Sequence, residues 1–446
     1  MPWGRQRHCF FSNLVDLKEN KPKDASLVAF VPEKSRKNVG REEESCFDWI
    51  VFYDSSENRF YGISTYEEVN LPNLHRFADE LVTLVPKQKI MMIHVEEAST
   101  PEISRVREKH GLSGAYLDHI NDMSCKERVM ETAENAGIPV PKSVFLDFSA
   151  RLSKNEVVGQ ITAKIKTFPM FAKPTRMAGG RGIAVLRTQA DLERYRTPIY
   201  QRELMTGREF STVAALLQDG TWKPLIVKYN HLGVSNYDAI YSGGPLMAKR
   251  TSFEDDEAGE FPKIRDFVSQ IMKAFKSIHP QMFIIQGYQD LEDPTRYYLN
   301  ELGYRSAGGD DSNYALYAAC GIDQMTALFL CHMDPNYDPK PSPSWKPTIC
   351  TNVVFPFVEG RLVSQNPLPE YPQIKGKVRV KKISEVGSLI LCFQGEWAVE
   401  PGTRMGRPKH LFEKMLKIVL ESASEEERNE DLGWIYKNWK PDVERD

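Results

Sequence analysis

Residues 168–174 run Phe168-Pro169-Met170-Phe171-Ala172-Lys173-Pro174, an apolar strand pattern that ends on a lysine, and Gly179-Gly180-Arg181-Gly182 follows shortly after. A lysine at the end of a strand is held on a rigid element, so its ammonium can sit over a polyphosphate as a point charge. A glycine-rich loop just beyond it can bring backbone N–H groups up to phosphate oxygens. The order of the two excludes familiar nucleotide folds. A protein kinase places its glycine loop before its lysine and carries HRD and DFG motifs, which are absent here, and no GxxxxGK[ST] of the P-loop occurs. Nor does any strand pattern in the first 120 residues lead into GxGxxG, which argues against a dinucleotide-binding domain.

The surrounding periodicity predicts a mixed α/β and α+β chain. Strand patterns at 26–31, 47–53 and 89–95 alternate with helical spacing at 74–85 and 101–112, as expected of a small α/β layer around a parallel sheet. A helix over 123–136 would open on Ser124 with Glu127 completing a capping box, and stop at Gly137-Ile138-Pro139-Val140-Pro141. Strands at 142–146, 170–173 and 183–187 then flank a helix at 157–166. Beyond 199 the texture turns β-rich (199–204, 209–218, 221–228), followed by a helix at 261–277 and a hairpin of 283–291 with 296–302. The Pro-, Ser- and Asp-rich stretch 334–346 reads as a surface loop. Strands at 351–358, 375–383 and 388–395 lead to an amphipathic helix at 410–422, and the acidic 421–431 reads as a solvated segment.

Three further constellations can carry chemistry. Lys126 stands in the helix before Gly137. Glu203 ends one strand and Glu209 begins the next after Gly207, so the segment between them, Leu204 and Met205 included, can offer backbone groups to an adenine edge while a carboxylate accepts from ribose hydroxyls. The hairpin can bring Gln289 and Glu301 side by side as oxygen donors suited to Mg2+. Arg305, four residues past Glu301, would meet charge developing on a transferred phosphoryl group, and Gly308-Gly309 opens a helix beyond it.

Read in chain order over 123–330, these pieces resemble the ATP-grasp superfamily: a helix with lysine, then "GIPVP", "FPxxxKP…GGxG", "QxExxxGxEFS" and "NExxxR…GG". The residues after Arg305, Gly308-Gly309 and Cys320-Gly321-Ile322-Asp323, look like the carnosine-synthase kind of amino-acid ligase. The resemblance implies an α/β pre-domain (1–122), a small grasp lobe (123–198), a large lobe with the metal hairpin (199–333) and a β-rich lid with a C-terminal helix (334–446). It implies that Lys126 and Lys173 contact ATP phosphates and that Gly179, Gly180 and Gly182 close over them. Glu203, Leu204 and Met205 would line the adenine pocket and Glu209 would take the ribose. Glu301 would hold Mg2+ (or Mn2+) with Gln289 as partner, Gln286 being the alternative on the opposite face. Arg305 and Lys173 would serve the phosphoryl transfer. Gly303 stands where many members have asparagine, which predicts a weaker metal shell. The implied activity is ATP-dependent carboxylate–amine ligation through an acyl phosphate on a small substrate such as an amino acid. A non-catalytic ATP-binding regulatory protein on the same fold, as the synapsins exemplify, is the alternative.

Composition agrees with small-molecule work. With 58 basic and 61 acidic side chains in 446 residues the formal charge is −3, which offers nucleic acid or an anionic membrane no electrostatic attraction. No charge-free stretch approaches the ~18 apolar residues of a spanning helix, and no secretory signal pattern is visible. The seven scattered cysteines, without CxxC, predict a reducing, cytoplasmic setting.

Overall fold

The computed structural model describes residues 14–32, 36, 46–53, 72–94, 100–146, 152–173, 183–194, 200–203, 207–277, 279–307, 310–370, 372–379, 396–408 and 413–445. The N-terminal unit comprises α1 (Leu14–Asn20), β1 (Val28–Pro32), β2 (Trp49–Tyr53), α2 (Pro72–Leu84), α3 (Thr100–His110) and α4 (Leu117–Ser124). β1 and β2 pair in parallel, and Phe30, Leu74, Ala78, Ile103 and Val106 form their apolar seam with α2 and α3. The strand expected at 89–95 reduces, among the described residues, to a single bridge between Met91 and Ser113.

The central part of the chain opens with α5 (Lys126–Asn135). Its start differs from the expected capping box. Ser124 is the last residue of α4, where its hydroxyl donates to the Ile120 carbonyl at 2.7 Å, and Cys125 in extended conformation separates the two helices without a side-chain cap. The end is as expected: Gly137 at φ +72° lets Ile138 N–H reach the Ala133 carbonyl and its own N–H reach that of Glu134. Then follow β3 (Ser143–Phe145), α6 (Lys154–Lys164), β4 (Met170–Lys173), β5 (Ala184–Leu186), α7 (Gln189–Arg194) and β6 (Tyr200–Glu203). The four strands form one antiparallel sheet in the order β3-β6-β4-β5. Met170 and Ala172 point into the core under this sheet, so Phe171 and Lys173 face the other way.

The large lobe contains β7 (Gly207–Leu216), β8 (Trp222–Asn230), α8 (Asn236–Ser242), β9 (Leu246–Ser252), α9 (Phe253–Ala258), α10 (Ile264–Phe275), β10 (Gln281–Asp290), β11 (Tyr297–Gly303), α11 (Asp310–Cys320) and α12 (Gln324–Met333). The C-terminal part adds β12 (Ile349–Pro356), β13 (Gly360–Ser364), β14 (Lys377–Arg379), β15 (Glu396–Trp397), β16 (Arg404–Met405), β17 (Lys414–Ser422), α13 (Glu425–Asn438) and β18 (Asp442–Glu444). Nine strands make one sheet, β11-β10-β7-β8-β9-β12-β17-β14 with β15 on β17. Strands on both sides of residue 333 thus belong to one continuous sheet, with β12 pairing β9 and β17 pairing β12. One face of that sheet is sealed by α4, α5 and α10 through Phe210, Tyr229, Phe267, Phe283 and Leu299. The other carries α11 and α12, which reach across to α1 and β1 through Val213, Ile226, Met282, Leu316 and Leu328.

Two C-terminal expectations are corrected. Residues 414–422 form a strand, because Met415-Leu416-Lys417-Ile418-Val419-Leu420 is buried on both faces between β12 and β14/β15. The acidic run beyond it is α13, whose first-turn Glu425, Glu426 and Glu427 complement the helix N-terminus behind the Ser424 cap, with Arg428 and Asp431 buried. The cationic 375–381 stretch begins on the sheet edge: among the described residues β14 pairs with β17 alone, and Lys375 Nζ meets Glu430 at 2.6 Å. The strand expected at 388–395 lies outside the described residues.

Candidate active site

The hairpin β10–β11 sets the geometry. From its tip, Gln289 pairs with Tyr297, Tyr288 with Tyr298 and Gly287 with Leu299, and then the register slips by one so that Gln286 faces Glu301. Asn300 is the extra residue of this bulge. Without the slip Glu301 would share a face with Gln289; with it, Glu301 turns to the face of Gln286 and Tyr288. The expected Gln289–Glu301 pair is therefore corrected. Gln289 is buried on the far face, donating its amide to the carbonyls of Glu260 (2.8 Å) and Pro294 (2.9 Å). Gly287 fits the bulge because a Cβ there would stand 2.6 Å from Tyr298 O and 2.8 Å from the Phe210 ring.

Lys126, at the head of α5, and Lys173, at the end of β4, converge on Glu301. Lys126 Nζ lies 3.3 Å from Oε1 and Lys173 Nζ 3.5 Å from Oε2, and Lys173 also donates to Asn300 Oδ1 at 3.3 Å. Both lysines are at most 7% exposed. Burial raises the Glu301 pKa, but the two ammonium groups outweigh it and hold the carboxyl down at about 2. Three elements far apart in sequence thus bring two cations and one carboxylate to a single point.

The sheet row through Glu301 continues along the same face: Gln286 on β10, Ser211 on β7, Lys228 on β8 and Arg250 on β9 are successive cross-strand partners. One step nearer the hairpin tip, Glu209 pairs with Tyr288. Both Glu209 oxygens accept hydrogen bonds at 3.1 Å from Asn236, one from its backbone N–H and one from its side chain. The same helix, α8, ties the small lobe to this face. Tyr237 stacks on Tyr241 (4.2 Å) and meets Phe171 edge-on (5.8 Å), and the Tyr241 hydroxyl donates to Ile183 O. Arg305 follows β11, its guanidinium donating to Ser306 O at 2.8 Å. The N-terminal unit walls this turn: the buried His94 ring contacts the Tyr304 carbonyl at 3.0 Å.

Gly179, Gly180, Gly182, Leu204 and Met205 lie outside the described residues, and Glu203 is described as the last backbone position of β6. Sequence reasoning missed Asn236, Lys228 and Arg250, which carry no motif and join the site only through strand register. Glu301, Gln286 and Asn300 are the oxygen-bearing side chains that could be offered to a hard cation such as Mg2+, with nucleotide oxygens completing the set. Among the described residues no group of three His, Cys, Asp or Glu side chains stands ready for a metal.

No family model matches the chain, and no curated protein matches it in sequence. Solved structures do. The L-amino acid ligase from Bacillus licheniformis superposes with a TM-score of 0.64 at 15% identity, over 97% of this chain and 95% of that one. The N5-carboxyaminoimidazole synthetase from Staphylococcus aureus, complexed with ADP, gives 0.60 at 12% identity, covering 98% and 96%. Biotin carboxylase from Campylobacter jejuni gives 0.57 at 14%, covering 94% and 86%. The fold is that of the ATP-grasp enzymes, and it extends over nearly the whole chain.

Proposed function

We propose that this protein is an ATP-dependent carboxylate–amine ligase. The observation that carries the reading is the convergence of Lys126 and Lys173 on Glu301, on the sheet face between the two lobes. ATP would supply a phosphoryl group to one carboxylate oxygen, with ADP leaving. The amine nitrogen of the second substrate then bonds to the acyl carbon, phosphate departs with its oxygen, and the nitrogen loses a proton. The chain's share is positioning and charge. Lys126 and Lys173 would hold phosphate oxygens, Glu301 with Gln286 and Asn300 would offer donors to Mg2+, and Arg305, now on Ser306, would meet the transferred group. Glu209, shared with Asn236, accepts the ribose hydroxyls, and 203–205 flank the adenine. Residues 179–182, which lie outside the described residues, would have the role of closing over the phosphates and keeping water from the acyl phosphate.

A second reading, a non-catalytic ATP-binding protein, is favoured by Glu301 being the one carboxylate of that proposed donor set among the described residues. Thermal unfolding with Mg2+, MgADP and MgATP tests the first step. A site occupied at 100 times its dissociation constant gains about 2.7 kcal/mol, and Lys173→Ala should weaken that binding at least tenfold. Wild-type nucleotide affinity in Lys173→Ala refutes its role. ADP release across a panel of carboxylates and amines then separates ligase from regulator.

A further inference from the structure

The row Glu301–Gln286–Ser211–Lys228–Arg250 contains more positive charge than the nucleotide reading uses. Glu301 is already matched by two lysines, and Glu209, the acidic side chain whose charge reaches Lys228, is occupied by Asn236. Lys228 and Arg250 are direct cross-strand neighbours, an arrangement that costs stability when both are cationic. Arg250 is only 6% exposed. The Lys228 ammonium, half-buried beside it, makes no hydrogen bond or ion pair with any described residue. Burial and the Arg250 charge together press its pKa down to about 8.

The position is specific. Val213 and Ile226, two residues along β7 and β8 on this face, belong to the apolar core under α11 and α12, so Lys228 stands where that cover gives way to the polar face. Lys228 is three strands from Glu301 and Arg250 four, roughly 14 and 19 Å along the sheet at the usual strand spacing. α11, which packs over β8, β9 and β12, follows directly on the turn that carries Arg305. A group held here lies three to four strands along the sheet from Glu301, apart from the Lys126–Lys173 point where the phosphates would sit.

We propose that Lys228 and Arg250 form an oxyanion subsite that takes the carboxylate or phosphate group of the amine-bearing co-substrate. The inference rests on the ligase reading and narrows it: the amine carries an acidic group, as an amino acid or an aminoalkyl phosphate does. Two cationic donors recognise such a group through charge-assisted hydrogen bonds.

Thermal unfolding of the full chain, with and without saturating MgADP and at matched ionic strength, tests it. The probes are glycine, β-alanine, aminomethylphosphonate and glycinamide. The expected result is stabilisation of wild type by an acidic amine and none by glycinamide, the carboxylate and phosphonate arms telling the two anions apart. Lys228→Met should raise the apparent dissociation constant of that amine about tenfold or more while keeping the MgADP shift. Lys228→Arg, which keeps the charge, should retain binding and covers a Met variant that fails to fold. Equal response to glycinamide and the acidic amines, an unaltered constant in Lys228→Met, or loss of the MgADP shift itself in that variant overturns the subsite. Absence of any MgADP shift in wild type overturns the nucleotide reading instead, and the nucleotide-free arm still decides the subsite.

Discussion

Replacing Glu301 by glutamine removes one charge and leaves two buried lysines facing each other. The wild-type carboxyl is held at about 2 against an ordinary 4.5. At about 1.4 kcal/mol per tenfold change in proton affinity, that difference amounts to about 3 kcal/mol. Its side chain is 31% exposed, and solvent screening trims the expected loss in Glu301→Gln to about 2 kcal/mol at pH 7. The pH dependence is the sharper signature. A depressed carboxyl contributes its full stability above pH 4.5 and loses it as the pH falls through about 2, because below that both folded and unfolded chains carry the proton. Urea unfolding of wild type and Glu301→Gln from pH 7 to pH 2 should therefore show a gap that is constant down to about 4.5 and then closes. Adding Lys173→Met to Glu301→Gln should return part of the loss, since the two positions are coupled. A gap below 0.5 kcal/mol at pH 7, or one that does not narrow below pH 4.5, would refute the claim that the lysines hold this carboxylate.

Gln289→Leu should cost about 1–3 kcal/mol in urea unfolding by orphaning the Glu260 and Pro294 carbonyls, and leave MgATP affinity unchanged; a tenfold weaker MgATP would restore Gln289 to the site. Gly303→Asn should be accommodated, since the described atoms nearest a Cβ there belong to the Ile284 side chain at 3.5 Å or more. It would add an oxygen donor on the Glu301 face, so the Mg2+ concentration that half-saturates the nucleotide-dependent thermal shift should fall severalfold, and no fall would place residue 303 outside the metal shell. His94 and His332 are buried, and burial with the nearby Arg107 charge presses each pKa from 6.5 to about 3. The unfolded chain then binds protons that the folded chain refuses, so stability should drop by about 1–2 kcal/mol per histidine from pH 7 to pH 5. His332→Leu should flatten that slope, and a wild type equally stable at both values would contradict it.

Most of the strands were legible, and so were the three charged residues that the structure brings together. Lys126, Lys173 and Glu301 stand in motifs whose order matters more than their local context, and periodicity finds the elements that hold them. What was not legible depends on register. Counting by twos from the hairpin tip puts Gln289 and Glu301 on one face, and only the bulge at Asn300 exchanges it for Gln286. That bulge is marked in the sequence by nothing stronger than Gly287, whose missing Cβ makes room for Phe210. Lys228 and Arg250 were invisible for a related reason: their pairing needs β8 aligned with β9 across the intervening α8. Residues 414–422 misled because six successive apolar or lysine positions satisfy a helical stripe as well as a doubly buried strand, and the arbiter is the pair of strands that flank it.

The continuity of the nine-stranded sheet across β9 and β12 bears on how the chain is made. The two strands pair directly although roughly 100 residues separate them, a long-range contact of the kind that slows folding. At ribosomal speeds of about 5–20 residues per second, β9 would wait some 5–20 seconds with an open edge before β12 emerges. An open edge invites pairing with another nascent chain, and charged side chains are the usual protection. Lys249-Arg250 supplies two such charges at the middle of β9, so the arginine that faces the site in the finished molecule also guards the half-built sheet while its last strands are being synthesised.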